Sequence, residues 1–423
     1  ADLNSDGFDD LIIATPQASL LTYVENGRVD IYYGSSSGVA DIPNMILAGE
    51  SNGSHFGTGL DTGDFNHDGI QDLAVGLPGW NPTNDSNLTH GQVHVYLGNS
   101  TGISAMPWWS VSGSNGERLG SYLAALVHDG QADMLAASAN GHVFDSGTST
   151  IYGKVNVYDG GEFSLSSQRN LTASKNGNMF GRSIEGCDMN GDGREELIIS
   201  NVGTYTTTPD YSSVEYFSGM ATGYNGTPDH TLETNKQGRL FGHTVACVGD
   251  VQGDGFADHI ITEPFNGTET FGGGKLWMYN GGDSGYQNGP NWTLVPSVLN
   301  SRIGEAIVSA GDINEDGYGD VYISSLNGDE SGKVEIYLGS ASGLQSEAQL
   351  LAQGTSNQKI GQGMAAMGDL NGDGLGEMIF SSRNSQQGAN YGLEYHILSE
   401  RDWESLSFVY TGPAQGLDLA TAH

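Results

Sequence analysis

Two kinds of apolar run recur along this chain. One is continuous and about four residues long: Leu11-Ile-Ile-Ala, Leu73-Ala-Val-Gly, Leu197-Ile-Ile-Ser, Ile260-Ile-Thr, Val321-Tyr-Ile-Ser and Met378-Ile-Phe-Ser. Such runs, bounded by Gly or Pro, predict buried strands. The other alternates apolar with polar: Val29-Asp-Ile-Tyr, Val93-His-Val-Tyr, Val155-Asn-Val-Tyr, Val214-Glu-Tyr-Phe, Leu276-Trp-Met-Tyr, Val334-Glu-Ile-Tyr and Leu393-Glu-Tyr-His. Turn signals such as Gly34-Ser-Ser-Ser-Gly38 and Gly339-Ser-Ala-Ser-Gly343 then lead to a weaker fourth strand. Four short antiparallel strands per period, repeated seven times, predict an all-β, seven-bladed β-propeller. A solenoid is the alternative, but it needs capping repeats, and none is visible.

An acidic loop precedes each continuous run. Its positions 1, 3, 5, 7 and 9 are Asp2, Asn4, Asp6, Phe8 and Asp10; Asp64, Asn66, Asp68, Ile70 and Asp72; Asp188, Asn190, Asp192, Arg194 and Glu196; Asp250, Gln252, Asp254, Phe256 and Asp258; Asp312, Asn314, Asp316, Tyr318 and Asp320; and Asp369, Asn371, Asp373, Leu375 and Glu377. Position 6 is always Gly, which permits a sharp turn. Positions 1, 3, 5 and 9 offer side-chain oxygens and position 7 a backbone carbonyl. Oxygen-only donors suit a hard cation, and calcium accepts this flexible set better than magnesium. An EF-hand would need a bidentate Glu at position 12 and flanking helices. Position 12 is instead apolar, as at Ile13, Val75, Ile199, Ile261 and Ile323, inside a predicted strand. One loop of this kind is an ordinary solvated turn. Six in phase predict about six calcium sites.

The loops recur about every 62 residues, with one double step of 124. A worn copy fills the gap: Ala125-Leu-Val127-His-Asp129-Gly130-Gln-Ala-Asp133 keeps the acids at positions 5 and 9 but has lost positions 1 and 3. Blade 3 is therefore expected to be the one without calcium. The expected blades are 1–54 with 414–422, 55–117, 118–178, 179–239, 240–301, 302–358 and 359–413, in a single domain over 1–423. Because the chain begins at the first loop, blade 1 lacks its innermost strand. Gln415-Gly416-Leu-Asp-Leu-Ala-Thr-Ala is similar to the missing piece and is expected to close the ring, which would remove free sheet edges. A chain that starts inside a repeat is expected to be a mature or trimmed product.

Phe-Gly (as at Phe56-Gly57, Phe180-Gly181 and Phe241-Gly242), the acidic loop, Gly76-Leu-Pro78 and Val-x-Val-Tyr together resemble the FG-GAP repeat of the integrin α-subunit head. The resemblance covers essentially the whole chain. It implies a seven-bladed propeller with calcium between the first and second strands of its blades. It departs from the integrin pattern in its six acidic loops, where that head uses fewer, and neither an inserted adhesion domain nor leg domains are expected. Pairing with a β-subunit therefore does not carry over.

The chain has 51 Asp and Glu against 15 Lys and Arg, a net charge of −36. Six calcium ions would leave about −24, which disfavours nucleic acid and anionic membranes as partners. There is no apolar run long enough to span a membrane. Cys187 and Cys247 precede the loops of neighbouring blades. Two buried free thiols are the expectation, with a disulfide between inner strands as the alternative. Calcium sites of this kind suit the millimolar calcium outside cells, so an extracellular or cell-surface location is expected.

Strand alternation places the acidic loops and the Gly-Ser turns on one face. The long second-to-third loops on the other face carry Trp80, Phe144, Tyr205, Tyr211, Phe265 and Phe271. Variable loops on a rigid scaffold concentrate binding residues, and these aromatics could anchor a protein or stack on a sugar. Trp108, Trp109 and Trp292 fall in outer strands and are expected to pack between blades. No nucleophile–base pair or His/Cys metal spacing marks a catalytic site. The expected function is a calcium-stabilised adhesion or ligand-binding module, part of a larger surface protein, with a protein or glycan ligand. A lectin-like binder is one alternative. A secreted polysaccharide-active enzyme is the other, favoured by a cleft that gathers His, Tyr, Arg or free carboxylates.

Overall fold

The computed structural model describes residues 1–423 except 21, 83–88, 129, 142–152, 175–178, 204–211, 235–239, 265–272, 288, 297, 299, 368, 371–375, 384–392, 400–404 and 407–423. The described residues form strands and no helix, arranged as a β-propeller. Six blades have four antiparallel strands, not the expected seven. Using the numbering of the repeats, blade 2 comprises Leu60–Gly63, Asp72–Leu77, Gln92–Tyr96 and Trp109–Ser112. Blade 4 comprises Met179–Cys187, Glu196–Val202, Ser212–Phe217 and His230–Thr234, with a two-stranded ribbon (Gly219–Met220, Gly223–Tyr224) before its outer strand. Blades 3, 5, 6 and 7 begin with the inner strands Leu119–Leu126, Val245–Gly249, Ile303–Gly311 and Met364–Met367.

The first sheet has only three strands, Leu11–Thr15, Arg28–Tyr32 and Met45–Ala48. They correspond to the second, third and fourth strands of a blade, because Leu11–Thr15 follows the acidic loop directly. The segment 414–422 expected to supply its inner strand lies outside the described residues.

The continuous apolar runs become the second strands. Asp72–Leu77, Glu196–Val202, Asp258–Glu263 and Asp320–Ser325 are buried at every position. A second strand has strands on both sides and a blade over each face, so both of its faces need apolar residues. The core therefore lies between blades. Ala246, Val248 and Met278 of blade 5 meet Ile307, Val321 and Ile323 of blade 6. Leu11, Ile13 and Tyr32 of the first sheet meet Met367, Leu370 and Ile379 around blade 7. The outer-strand tryptophans pack as expected. Trp109 meets Tyr158 edge-on at 5.0 Å between ring centroids, and Trp292 meets Tyr337 at 6.2 Å.

The third strand starts beside a recurrent glycine. A Cβ on Gly27 would lie 2.2 Å from the Phe56 carbonyl oxygen, and one on Gly153 would lie 1.8 Å from that of Phe180. Gly91 and Gly332 meet Leu119 and Ile360 of the following blades in the same way. The backbone of one blade thus rests on the Phe-Gly segment of the next, where no side chain fits.

Cys187 and Cys247 are bonded as a disulfide, with Cα atoms 5.5 Å apart. This corrects the expectation of free thiols. The two residues hold equivalent places on adjacent inner strands, and the blade-to-blade spacing brings them within bonding reach.

Candidate metal loops and the central channel

The five loops that are described throughout share one hydrogen-bond pattern. In the second, Asp64 Oδ1 accepts the N–H of Asp68 at 3.0 Å and Oδ2 that of Gly69 at 2.9 Å. Asn66 Oδ1 also accepts from Asp68, and Asp68 Oδ1 accepts from Ile70. The same bonds to the position 1 and position 5 carboxylates recur around Asp2 and Asp6, Asp188 and Asp192, Asp250 and Asp254, and Asp312 and Asp316. Position 4 takes a left-handed conformation, at φ 56° for Ser5, 61° for His67 and 57° for Glu315. The sequence hinted at this only through glycines at that place in other copies, Gly191 and Gly253.

Position 9 has a second task. Its carboxylate accepts the N–H of position 2 (Leu3, Phe65, Met189, Val251, Ile313 and Leu370, at 2.8–3.2 Å). In four loops its other oxygen accepts the N–H of the glycine that opens the third-to-fourth turn, Gly34, Gly98, Gly281 or Gly339. Acidic loop and turn therefore share one end of the blade. Burial pushes these carboxyls up, to about 6 for Asp10 and Asp320 and about 7 for Asp72, Glu196 and Asp258; acids of the same loop add to the rise.

These residues fit a hard cation in kind. Every donor is oxygen, and the buried position 9 acid is crowded by like charges that a cation would offset. Among the described residues, no three acidic, His or Cys side chains converge as a metal cluster. The side chains of Phe8, Ile70, Arg194, Phe256 and Tyr318 offer no oxygen to a cation, except that of Tyr318, so position 7 can contribute generally only through its carbonyl. Asn371, Asp373 and Leu375 of the sixth loop lie outside the described residues. In the worn loop, burial raises the Asp133 carboxyl, which accepts the N–H of Asp64 at 2.8 Å.

The loops also join blades. The N–H of position 8 donates to the position 1 carbonyl of the preceding blade, as Ala257 does to Asp188 and Gly319 to Asp250 at 2.7 Å. Asp9 donates to Asp369 at 3.1 Å, so the first sheet meets blade 7 through the same bond.

Of the expected ligand-face aromatics, Trp80 is half-buried. It sits edge-on to His90 at 6.5 Å and packs on the core between the first sheet and blade 2, so it is not an open shelf. Phe144, Tyr205, Tyr211, Phe265 and Phe271 lie outside the described residues.

A channel of about 560 Å³ runs between the inner strands of blades 2–7. Thr58, Ser121, Arg182, His243, Glu305 and Gln362, each next after the phase-keeping glycine of its blade, contribute to its wall. Arg182 Nη1 donates to Tyr122 Oη, and Arg182 Nη2 donates to His243 Nε2 at 2.8 Å. Burial, then Arg182 and Arg302, push His243 down to about 3. The sequence reading missed this cluster, although a signal existed. Tyr122 and Arg182 are 60 residues apart and Arg182 and His243 are 61 apart, close to one repeat, and residues one repeat apart on inner strands are neighbours.

Comparison with known proteins matches the FG-GAP-like repeat over residues 2–75 and the FG-GAP repeat over 56–96. Human phosphatidylinositol-glycan-specific phospholipase D is 36% identical over 121 residues, 26% of this chain and 14% of the relative. Human integrin alpha-IIb is 28% identical over 153 residues, 34% of this chain and 14% of the relative. The match thus spans about a seventh of the length of either relative. A crystal structure of a Lactobacillus plantarum protein is similar in fold, with a TM-score of 0.55 at 10% identity over 95% of each chain. FG-GAP repeats are thus matched over residues 2–96 of this chain, and integrin α chains are among the proteins it is similar to.

Proposed function

We propose that this protein is an extracellular, calcium-stabilised propeller that binds a ligand on the face opposite its acidic loops. The observation that carries the reading is the buried position 9 carboxylate, repeated at Asp10, Asp72, Glu196, Asp258 and Asp320 and crowded by acids of its own loop. Positions 1, 3, 5 and 9 and the position 7 carbonyl would hold the ion. Bound calcium would supply the charge that offsets this crowding. Its role is structural: the loops sit where neighbouring blades are joined, so fixing them fixes the ring.

The likeness to integrin α chains supports an adhesion role, with a protein or glycan partner. The disulfide supports an oxidising compartment. A seven-sheet ring, with residues 414–422 completing the first sheet, fits the packing of that sheet on blade 7.

Elemental analysis after dialysis and a thermal melt with and without EDTA test the calcium. Up to six ions per chain and a lower melting temperature in EDTA are expected. A melt indifferent to EDTA, with no calcium bound, overturns the proposal. A glycan array probed with calcium-loaded protein then separates a glycan partner from a protein one.

A further inference from the structure

Arg182 is a half-buried cation in the channel wall with no carboxylate partner among the described residues, in a chain with 51 acids. A cation drawn out of water without a counter-ion is costly unless something anionic reaches it. Its two recorded side-chain bonds, to Tyr122 and His243, leave three of its five N–H groups. Because Arg182 donates to the Tyr122 oxygen, that hydroxyl keeps its own hydrogen to donate. Because Arg182 also donates to His243 Nε2, the imidazole is neutral there, and its Nδ1 lies 3.4 Å from Thr244 Oγ1. The histidine therefore carries no charge of its own, and the arginine's is the charge of this cluster. Arg118 also lines the channel, exposed and likewise without a carboxylate partner among the described residues.

The acids of the channel are placed differently. Asp61 accepts the N–H of Ala125 at 2.6 Å, Glu185 that of Cys247 at 3.4 Å and Glu195 that of Val127 at 2.9 Å, so each is tied to a neighbouring strand or loop. Asp61 and Glu185 stand three residues further along their strands than Thr58 and Arg182, towards the acidic-loop end. Glu305 is beside Arg302, at 3.4 Å. The mouth away from the acidic loops thus presents Arg182, Tyr122 and Arg118, with His243 and the Arg302-paired Glu305 on the same ring. Thr58, Ser121 and Gln362 complete the wall with neutral hydrogen-bonding groups. A volume of about 560 Å³ suits one or two sugar rings.

We propose that this mouth binds a carboxylated sugar, a uronic-acid residue or short uronate chain, with Arg182 gripping the carboxylate, Tyr122 donating a second hydrogen bond and the neutral polar wall meeting the hydroxyls. The inference deepens the reading of this face as the ligand side and rests on it.

The test is titration calorimetry of the calcium-loaded full chain with digalacturonate, with a neutral galactose disaccharide and inorganic phosphate as comparison arms. Digalacturonate is expected to bind, the neutral sugar not, and phosphate more weakly than the uronate. Arg182→Met is expected to weaken digalacturonate binding roughly tenfold or more, the scale of a lost charged hydrogen bond. Tyr122→Phe, which removes one oxygen, guards against a folding defect and is expected to weaken it several-fold with an unchanged melting temperature. Digalacturonate binding that both variants retain, or that is no tighter than neutral sugar or phosphate, overturns the inference. A protein partner that competes at this face while digalacturonate does not bind overturns the uronate site and leaves the ligand-face reading standing. Ligands that bind only at the acidic-loop end overturn both.

Discussion

Asp72 Oδ1 accepts the backbone N–H of Gly98 at 3.0 Å, and its Oδ2 accepts that of Phe65 at 3.0 Å. One fully buried carboxylate thereby fixes both the acidic loop and the turn into the outer strand. Asp72→Asn puts an amide NH₂ where one of those N–H groups needs an acceptor. A loss of about 1–3 kcal/mol is expected, together with one fewer calcium ion per chain. Urea unfolding in EDTA measures the first and elemental analysis the second.

The raised position 9 carboxyls give the calcium-free protein a pH dependence. In the unfolded chain these groups titrate in the ordinary carboxylate range, so above pH 6 the folded state holds more protons than the unfolded one. Stability then falls as pH rises through about 6–7, where Asp10, Asp320, Asp72, Glu196 and Asp258 ionise. The half-buried His94 and His243 and the buried His259 are pushed down to about 4, 3 and 3 and act at lower pH, destabilising the fold as it acidifies. Melting curves between pH 6 and 8 in EDTA are expected to move down with pH. Calcium, which competes with the protons, is expected to flatten the slope.

The disulfide ties blade 4 to blade 5 across a separation of 60 residues. Closing a loop of that size is worth about 4 kcal/mol in chain entropy. The Cys187→Ala, Cys247→Ala double variant is expected to unfold at lower urea. A non-reduced digest should yield the two cysteine peptides joined, and their recovery as separate unmodified peptides would count against the bond.

Two glycines separate steric from conformational cost. Gly153→Ala drives a Cβ to 1.8 Å from the Phe180 carbonyl, forcing neighbouring blades apart, and is expected to cost about 3–5 kcal/mol. Gly69→Ala meets nothing within 4 Å but must hold φ +86°, and is expected to cost about 1–2 kcal/mol. Equal losses in the two variants would mean that the blade contact is softer than the packing implies.

Much of this protein could be read from its residues in order. Continuous apolar runs fell on second strands because a strand buried on both faces cannot alternate, and the acidic loops fell between first and second strands. The loop geometry at Asp64, Asn66, Asp68 and Gly69 is local, formed by groups a few residues apart, so spacing alone implied it. The count of four-stranded blades was not legible: the first sheet has three strands among the described residues, and the segment 414–422 expected to complete it lies outside them. The bond between Cys187 and Cys247 and the meeting of Tyr122, Arg182 and His243 were also decided by tertiary structure. Each joins residues about one repeat apart, and only the packing of blade on blade sets the distance and direction between them. The sequence by itself determined which residues are equivalent. The fold decided which equivalents touch, because neither a covalent bond nor a channel wall exists until neighbouring inner strands are brought side by side.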